Sequence, residues 1–426
     1  MAKSRSGNVH RRGPSKSGSS AKKITEESES PSRSKSSPQK IKKESESHKV
    51  STLCQKLAFA LALLVVTFAI CLTFAHVNSP IAAVSVNDIH DVRQLKWTNV
   101  ENNNLAHGRK LLNELPGPES IVADEEGNWY TGLIDGRVVK IINAGKEEQV
   151  VVDITASYDF AIGSKRKGKR PLGIRLSKST LYFVDGYQGL FSIDIKTNQW
   201  KKIVGYDEVE PHMMFPDDLT ISSNGKTIYF TDVSEKWDYD NVTFSIIEGE
   251  CSGRIFKCDV QSKRIDLIYS GLCFPNGIEL DRSENNLLVS ENARRRVIVI
   301  DLESRNIVKT IKLPGGPDNI RRARNNGYWV AIPTLHHPTT DFIWAYPALR
   351  NIIASILGRE GLFQLVDLNQ GIIVKLTETF EPESIHYDVD GKVSKAITEA
   401  SELDNGEILL GSFIQSGIVL LDGKSL

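Results

Sequence analysis

The sequence predicts an all-β protein, a six-bladed β-propeller with a short helical insertion, preceded by a single transmembrane helix and a disordered N-terminal tail. Three observations support this prediction. A strand–turn–strand unit recurs six times from Gly117 onward, an uncharged apolar segment of 19 residues lies ahead of it, and the first fifty residues contain almost no large apolar side chains.

The repeated unit contains a Pro or Gly turn, one variable residue, a short apolar strand, a polar turn and an aromatic-rich strand. Repetition of such a unit at intervals of roughly 40–80 residues is typical of a β-propeller. Because equivalent positions of successive blades converge on the propeller axis, four of the six variable residues should bring oxygen atoms to one point. The variable residues are, in chain order, Glu119, Leu172, Asp217, Asn276, Asp318 and Ser401.

The N-terminal tail is strongly basic. Residues 1–56 carry 14 Lys and Arg against 5 Asp and Glu, whereas the whole chain has a formal net charge of zero. A segment this polar cannot bury enough apolar surface to offset its conformational entropy, so we predict a disordered cytosolic tail. Interleaved glutamates and the apolar segment that follows argue against a nucleic-acid partner.

The apolar segment Leu57–Ala75 has 19 residues and no charge, about the length that crosses a bilayer as a helix. A buried core helix and a cleaved signal peptide are the alternatives. The polar leader is too long for a secretory signal, and no convincing cleavage site follows. Lys49 and Lys56 precede the segment, so the positive-inside rule predicts a single-pass type II signal anchor. The C-terminal domain is then extracellular or lumenal, at the plasma membrane or the endoplasmic reticulum.

After the span, residues 76–104 show no sustained periodicity and are predicted to form a stalk, and residues 105–426 form the propeller. The apolar stretch Leu105–Leu112 is predicted to complete blade six as its outer strand. Asn241 begins the sequence Asn-Val-Thr, which predicts N-glycosylation. Three cysteines follow the span, so at most one disulfide forms among them, and the sequence leaves the pairing open: Cys251, Cys258 and Cys273.

The repeat is interrupted between Pro333 and Gly371 by a predicted helical insertion. Pro347 suits a first helical turn and Gly358 suits a C-terminal cap. The apolar residues between them fall at helical spacing: Leu349, Ile352, Ile353, Ile356 and Leu357. Three interpretations remain open. The helix packs on the blade edges, covers the axial pocket as a lid, or contacts the membrane.

The ordered motifs GPESI, DGRVVKI, RPLGIR, GKTIYFTD, FPNG, PDNIR and LGSF run from Gly117 to Phe413. As an ordered set they resemble the strictosidine synthase-like family. The resemblance implies a six-bladed propeller related to the paraoxonases and gluconolactonases, which carry calcium in the axial tunnel. It also implies activity of the arylesterase type.

A calcium ion binds six to eight hard oxygen ligands, and the variable residues supply that type. The resemblance implies ligand roles for Glu119, Asn276, Asp318 and Asn319. Asp217 departs from the family, whose members usually have Asn there, but an aspartate still coordinates the ion and adds a negative charge. The alternative for each residue alone is turn chemistry, since Asp and Asn are common in turns.

The activity is harder to predict. The acid/base glutamate of the strictosidine synthases falls near Thr398, with Glu399 beside it, which argues against strictosidine-type condensation. The paraoxonase histidine is replaced by Leu172, and the pair His336 and His337 is an alternative base.

Two hypotheses follow for the domain. In the first, it is a calcium-dependent arylesterase-type hydrolase of small ester or lactone-like substrates, with Asp217 or Asp218 as the base. In the second, it is a non-catalytic binding or adhesion module in which calcium is structural.

Overall fold

The computed structural model describes residues 38–86, 91–98, 100–156, 164–324, 326–335 and 338–426. The chain divides into two compact units, Met1–Phe68 and Ala69–Leu426, and the second contains the propeller. The first 37 residues of the predicted tail lie outside the described residues, and so do His336 and His337.

The domain is built from six four-stranded antiparallel sheets, which confirms the predicted six-bladed propeller. The strands of blades one to three, from the axis outward, are Ile121–Ala123, Trp129–Gly132, Val138–Ile142 and Val150–Asp153; Pro171–Ser177, Thr180–Asp185, Gly189–Asp194 and Trp200–Gly205; and Pro216–Ile221, Thr227–Asp232, Gly253–Asp259 and Ile265–Leu272.

Blades four to six have the same order. Their strands are Pro275–Leu280, Asn286–Glu291, Arg296–Asp301 and Ile307–Lys312; Ile320–Arg322, Tyr328–Ala331, Gly371–Leu376 and Pro382–Asp388; and Ile397–Glu402, Glu407–Ser412, Ile418–Asp422 and Arg109–Leu111. The last of these, Arg109–Leu111, pairs with Ile418–Asp422. The N-terminal strand therefore closes blade six, as the sequence predicted. A two-stranded ladder joins Gly315–Gly316 to Thr334–Leu335.

Neighbouring blades pack face to face through apolar side chains. Leu288 and Val297 of blade four lie in one core cluster with Ile320 and Val330 of blade five, and all four are fully buried. Burial on both faces explains why the second strands, such as Thr180–Asp185 and Tyr328–Ala331, contain nearly continuous apolar runs rather than alternating ones. Gly277 allows a close approach at the axis, because a Cβ there would lie 2.5 Å from the carbonyl oxygen of Asp318.

The α-helices are Pro38–Val77, Val242–Glu248, Pro338–Ala345 and Pro347–Phe363. Short 3-10 helices lie at Val92–Gln94, Lys96–Thr98, Asn104–His107, Tyr239–Asn241, Asn292–Arg294 and Gly423–Ser425. Among the described residues, one stretch is long and apolar enough to cross a membrane, Glu46–Val77. The helix that contains it begins at Pro38, so the predicted tail is helical rather than disordered from that residue onward. Residues 38–56 include no helix breaker after Pro38 and are rich in Lys and Glu, which favour helix.

The insertion is helical, as predicted, and Pro347 occupies its first turn. Gly358 has φ 61° and ψ −174°, so it breaks the helix as expected. The chain then resumes helical geometry to Phe363, and the predicted C-terminal cap is an internal break. A second helix, Pro338–Ala345, precedes it and escaped prediction because its eight residues contain little periodicity.

The segment predicted as a stalk contacts the propeller domain at several points. The backbone N–H of Val84 donates to the carbonyl oxygen of Glu248 at 3.0 Å. The amide of Asn102 donates to the carbonyl oxygen of Ile385 at 2.8 Å. The structure also selects the disulfide, which joins Cys251 to Cys273 and leaves Cys258 as a buried thiol.

Candidate metal centre

Each inner strand begins with a turn whose second residue lies at the axis. In four blades, the first residue of the inner strand pairs with the last residue of the second strand, and a register shift follows. These first residues are Pro171, Pro216, Pro275 and Ile397. The ring residues are therefore Glu119, Leu172, Asp217, Asn276, Asp318 and Thr398. This corrects Ser401, which the sequence assigned to blade six. The inner strand of that blade begins at Ile397, four residues before Ser401.

Carboxylates at the ends of the second strands hold these turns in place. Asp185 accepts the backbone N–H of Arg170 at 2.6 Å, and Asp232 accepts that of Phe215 at 2.8 Å. Glu291 accepts the backbone N–H of Cys273 at 2.9 Å. Each contact anchors the backbone one or two residues before the turn and so fixes where the turn that carries the ring side chain begins.

The acidic ring residues are close enough to perturb one another. Burial and the charge of Glu119 raise the pKa of Asp217 and that of Asp318 well above their usual values. Burial also raises the pKa of Glu119, which Arg170 partly opposes. The amide of Asn319 donates to Glu119 Oε1 at 2.7 Å and links blades five and one. The structure therefore brings Glu119, Asp217, Asp318 and Asn319 together at the axis, as predicted.

Three acceptor oxygens in this ring have no hydrogen-bond partner although they are buried: Glu119 Oε2, Asn276 Oδ1 and Asn319 Oδ1. An unsatisfied buried polar group costs about 1–3 kcal/mol, so three at one place need an explanation. A hard cation fits, because all three atoms are acceptors of the type that calcium binds. Among the described residues, His, Cys, Asp and Glu alone form no metal-binding group of three or more. The candidate site therefore needs the asparagine oxygens as well as the carboxylates.

Asp218 has a different environment from its neighbour. Its side chain is fully buried, Oδ2 lies 2.8 Å from Arg321 Nη1, and Oδ1 lies 3.4 Å from Arg175 Nη1. Oδ2 also accepts the backbone N–H of Ile278 at 3.0 Å. Both oxygens of Asp218 are therefore occupied by arginine side chains and a backbone N–H. Of the two predicted bases, only Asp217 belongs to the ring.

Arg321 is the centre of a second polar layer that the sequence analysis missed. Its Nη2 lies 2.6 Å from Glu399 Oε2 and donates to the Ser120 hydroxyl at 3.1 Å. Although burial opposes the charged form, Asp218 and Glu399 raise the pKa of Arg321 above its usual value. We call this layer the axial ion network, and each blade contributes one residue to it: Ser120, Arg175, Asp218, Glu279, Arg321 and Glu399. The sequence contains a spacing that could have predicted half of this network. Three of its charged residues each lie three positions after a ring residue: Arg175, Glu279 and Arg321.

Two further residues near the ring were also missed. Arg170 is 1% exposed, and its Nη1 donates to the carbonyl oxygen of Gly117 at 3.0 Å. Tyr239 is hydrogen-bonded to Arg170 through its side chain, and burial, with the charges of Asp217 and Glu119, raises its pKa. Its ring packs edge-on against Phe215 at 5.3 Å between centroids. Tyr239 comes from the loop after blade three's second strand, where no repeat pattern predicts its position.

A cavity of about 420 Å³ lies beside the ring under the helical insertion. Gly316 and Asn292 line the side of the cavity nearest Asp318, and the Asn292 amide donates at 3.1 Å to the carbonyl oxygen of Pro317, the residue before Asp318. Most of its lining is apolar and includes Ile246, Ile343, Trp344, Ile353 and Leu362. The insertion therefore forms a wall of the cavity next to the candidate metal centre.

The predicted glycosylation site has structural contacts of its own. Asn241 is half-buried, and its amide donates to Asp238 Oδ1 at 2.8 Å. The Thr243 hydroxyl is buried and donates to the carbonyl oxygen of Arg359 at 3.2 Å. Nothing in this geometry favours a glycan, and glycosylation of Asn241 stays a prediction.

Residues 217–300 match the family model described as "Strictosidine synthase", and residues 101–141 match the one described as "Strictosidine synthase-like, N-terminal". The chain is 33% identical over 324 residues to the adipocyte plasma membrane-associated protein of Gallus gallus, which covers 73% of this chain and 77% of that protein. It is 32% identical over 337 residues to the protein of the same name from Rattus norvegicus, 76% of this chain and 88% of that one.

Among solved structures, a luciferin-regenerating enzyme superposes with a TM-score of 0.49 at 13% identity, over 74% of this chain and 94% of that one. The sequence relatives carry the assignment, because they match along most of the propeller and not at single motifs. The chain therefore belongs to the strictosidine synthase-like family, together with the adipocyte plasma membrane-associated proteins.

Proposed function

We propose that the domain binds calcium at the ring and hydrolyses small ester or lactone-like substrates, with arylesterase-type activity. The observation that carries this proposal is the group of unsatisfied acceptor oxygens at the axis, Glu119 Oε2, Asn276 Oδ1 and Asn319 Oδ1. Glu119, Asp217, Asn276, Asp318 and Asn319 would hold the ion. They come from blades one, three, four and five, so only the folded propeller assembles them.

The local charge supports a divalent ion. Glu119, Asp217 and Asp318 supply three negative charges when they are ionised. Arg170, which lies outside the axial ion network, opposes the raised pKa of both Glu119 and Asp217. The remaining excess is two negative charges. A calcium ion would balance it and would also relieve the mutual repulsion that raises the pKa values of these carboxyl groups.

The surrounding residues suit ester hydrolysis. When bound, calcium supplies polarisation of a carbonyl group and stabilisation of negative charge on its oxygen. Asp217 would act as the base that takes a proton from water. The Tyr239 phenol, which acts electrostatically on Asp217 and Glu119, is protonated at neutral pH and would donate a hydrogen bond to a bound substrate. The apolar cavity beside Gly316 would accept the hydrocarbon part of the substrate.

A second candidate function is a non-catalytic binding or adhesion module with structural calcium. Leu172 is the observation that favours it, because an apolar side chain occupies the blade-two ring position and supplies no base there. The engagement of Asp218 and Glu399 with Arg321 removes two further groups from proton transfer. The same engagement argues against strictosidine-type condensation, which needs a free acidic group in blade six.

We also propose a single-pass type II topology, with the tail in the cytosol and the propeller extracellular or lumenal. The disulfide Cys251–Cys273 supports this orientation, since such bonds persist in oxidising compartments. The relatives named as plasma membrane-associated proteins support a membrane location.

The test uses the purified full chain in detergent, with calcium or with a chelator. Hydrolysis of phenyl acetate and of a simple lactone, thermal unfolding and elemental analysis are measured on the wild type and on Asp318→Ala. A ligand that binds only the folded state at about 100 times its Kd should add roughly 2.7 kcal/mol. Asp318→Ala should lose most of this gain and the activity, whereas the surface control Asp266→Ala, whose side chain is 41% exposed, should lose neither.

Asp217→Asn separates the two candidate functions. It keeps an oxygen ligand, so calcium-dependent stability should survive while hydrolysis is lost. If the wild type binds calcium but hydrolyses neither substrate, the binding-module function is favoured. If the wild type contains no metal and unfolds at the same temperature in calcium and in chelator, the metal site is wrong.

A further inference from the structure

We propose that the helical insertion rests on the surface of the same bilayer that the chain's apolar helix crosses. The surface concerned, which we call the helical layer, is formed by Pro338–Ala345, Pro347–Phe363 and the two residues that follow. This inference rests on the proposed membrane span and is independent of calcium binding and hydrolysis.

The helical layer exposes large apolar side chains to an unusual degree. Phe342, Ile356 and Leu365 are 61%, 65% and 58% exposed. Outside the span, Phe342 and Tyr346 are the exposed aromatic residues among the large apolar side chains that the structure describes. Their rings are 5.1 Å apart between centroids. Elsewhere in the propeller the exposed apolar residues are scattered aliphatic side chains on outer strands and turns, which need no special explanation.

Chain continuity identifies what lies against this layer. The apolar helix ends at Val77, and Ile81, only four residues later, is already buried in a cluster with Ala354 and Leu362 of the helical layer. An extended chain advances at most about 3.5 Å per residue, so this connection spans no more than about 14 Å. A helix that crosses a bilayer and ends at Val77 therefore keeps the helical layer close to the membrane surface.

The connection is held firmly and is not a free tether. The Glu248 carboxylate is 1% exposed and accepts the backbone N–H of Ala82 and the indole N–H of Trp237, both at 2.6 Å. Arg350 is fully buried and donates to the carbonyl oxygens of Glu248 and Val84. Because both charged groups are buried and bonded to this segment, detaching it would remove a hydrogen-bond partner from each of them.

Lipid suits the exposed side chains better than water does. Tyr346 combines an apolar ring with a hydroxyl group, the pattern found at membrane interfaces, and its ring packs against that of the apolar Phe342. Leu365 is both exposed and part of the cavity lining, together with Trp344. The cavity therefore has a wall in the helical layer, on the side that would face the lipid.

The experiment places a nitroxide spin label at Ile356→Cys in the full chain, reconstituted into phosphatidylcholine nanodiscs. The free cysteines of the span are first replaced, as Cys54→Ser and Cys71→Ser. The remaining free thiol, Cys258, is buried. Collisions of the label with oxygen, which concentrates in lipid, are compared with collisions with a water-soluble nickel chelate. Because Ile356 is highly exposed, the substitution should leave the fold intact.

Two matched labels complete the design. Glu125→Cys lies in the exposed turn between the inner strands of blade one, at the end away from the ring. Leu64→Cys lies within the apolar helix. We expect the Ile356 label to favour oxygen over the nickel chelate, as the Leu64 label should, and the Glu125 label to show the reverse preference.

The outcomes that would overturn the proposal are distinct. If the Ile356 label prefers the nickel chelate as strongly as the Glu125 label does, the layer faces water. If it collides poorly with both reagents, a protein surface covers it and lipid does not. If the Leu64 label also prefers the nickel chelate, the membrane span itself is wrong and the inference falls with it.

Discussion

Replacing Arg321 by methionine should destabilise the propeller without touching the candidate metal ligands. The guanidinium of Arg321 pairs with Asp218 at 2.8 Å and with Glu399 at 2.6 Å, and both carboxylates are fully buried. The variant keeps the volume of the side chain but leaves these two charges without their main partner. Removing one member of a buried ion pair generally costs about 3–5 kcal/mol.

The contacts that survive decide where in this range the loss should fall. Asp218 keeps Arg175 at 3.4 Å and the backbone N–H of Ile278 at 3.0 Å. Glu399 keeps the hydroxyl groups of Ser120 and Ser401 at 2.9 and 2.6 Å. Because each carboxylate retains at least two polar partners, we expect a loss near the lower limit, about 3 kcal/mol.

The assay is urea unfolding of the full chain in detergent, followed by tryptophan fluorescence. Lys202→Met is the matched control, since Lys202 and Glu208 form a pair of similar length, 2.7 Å, with side chains 50% and 43% exposed. Surface pairs contribute about 0–1 kcal/mol. Adding Glu399→Gln to Arg321→Met should recover part of the loss by neutralising one stranded charge. If Arg321→Met costs no more than Lys202→Met, the axial ion network does not stabilise the fold as ion pairs.

Two further predictions concern acid sensitivity and topology. Burial and the charge of Lys375 lower the pKa of His386 to about 4, from an ordinary value near 6.5. The neutral imidazole therefore contributes its full stabilisation of the fold above about pH 6.5. That contribution, up to about 3 kcal/mol, is lost as pH falls toward 4. His386→Gln should weaken this pH dependence of the melting temperature, and an unchanged profile would contradict the assignment. In sealed microsomes, protease should trim only the cytosolic tail, whereas digestion of the propeller would contradict the type II topology.

The repeat predicted the ring because the turn before each inner strand is a local pattern. In four blades, a proline directly precedes the ring residue, so the sequence predicted the positions of these residues: Glu119, Asp217, Asn276 and Asp318. Blade six lacks that proline and begins instead at Ile397, and the prediction slipped by three residues from Thr398 to Ser401. A register error of this size is expected where no turn residue marks the start of a strand.

Residues outside the repeat could not be placed in the same way. Tyr239 reaches Arg170 from a loop of blade three, and such loops vary in length and path from one blade to the next. The ion pair of Asp218 could not be predicted for a different reason. Asp218 is adjacent to Asp217 in the sequence, and its partner Arg321 comes from blade five, 103 residues further along the chain.

The ring and the axial ion network differ in net charge, and this difference allows an experiment to distinguish their contributions to stability. In the axial ion network, the negative charges of Asp218, Glu279 and Glu399 face Arg175 and Arg321. Arg322, which lies beside the network, supplies a third positive charge 3.8 Å from Glu279.

The ring has no such balance among its own side chains, because Arg170 and Arg321 only partly offset the burial and mutual repulsion that raise the pKa values of Glu119 and Asp217. A neutral layer gains nothing from an added cation, so variants of the axial ion network should lower stability equally in calcium and in chelator. Variants of the ring should instead change only the difference between the two conditions, because that difference measures the ion and not the scaffold.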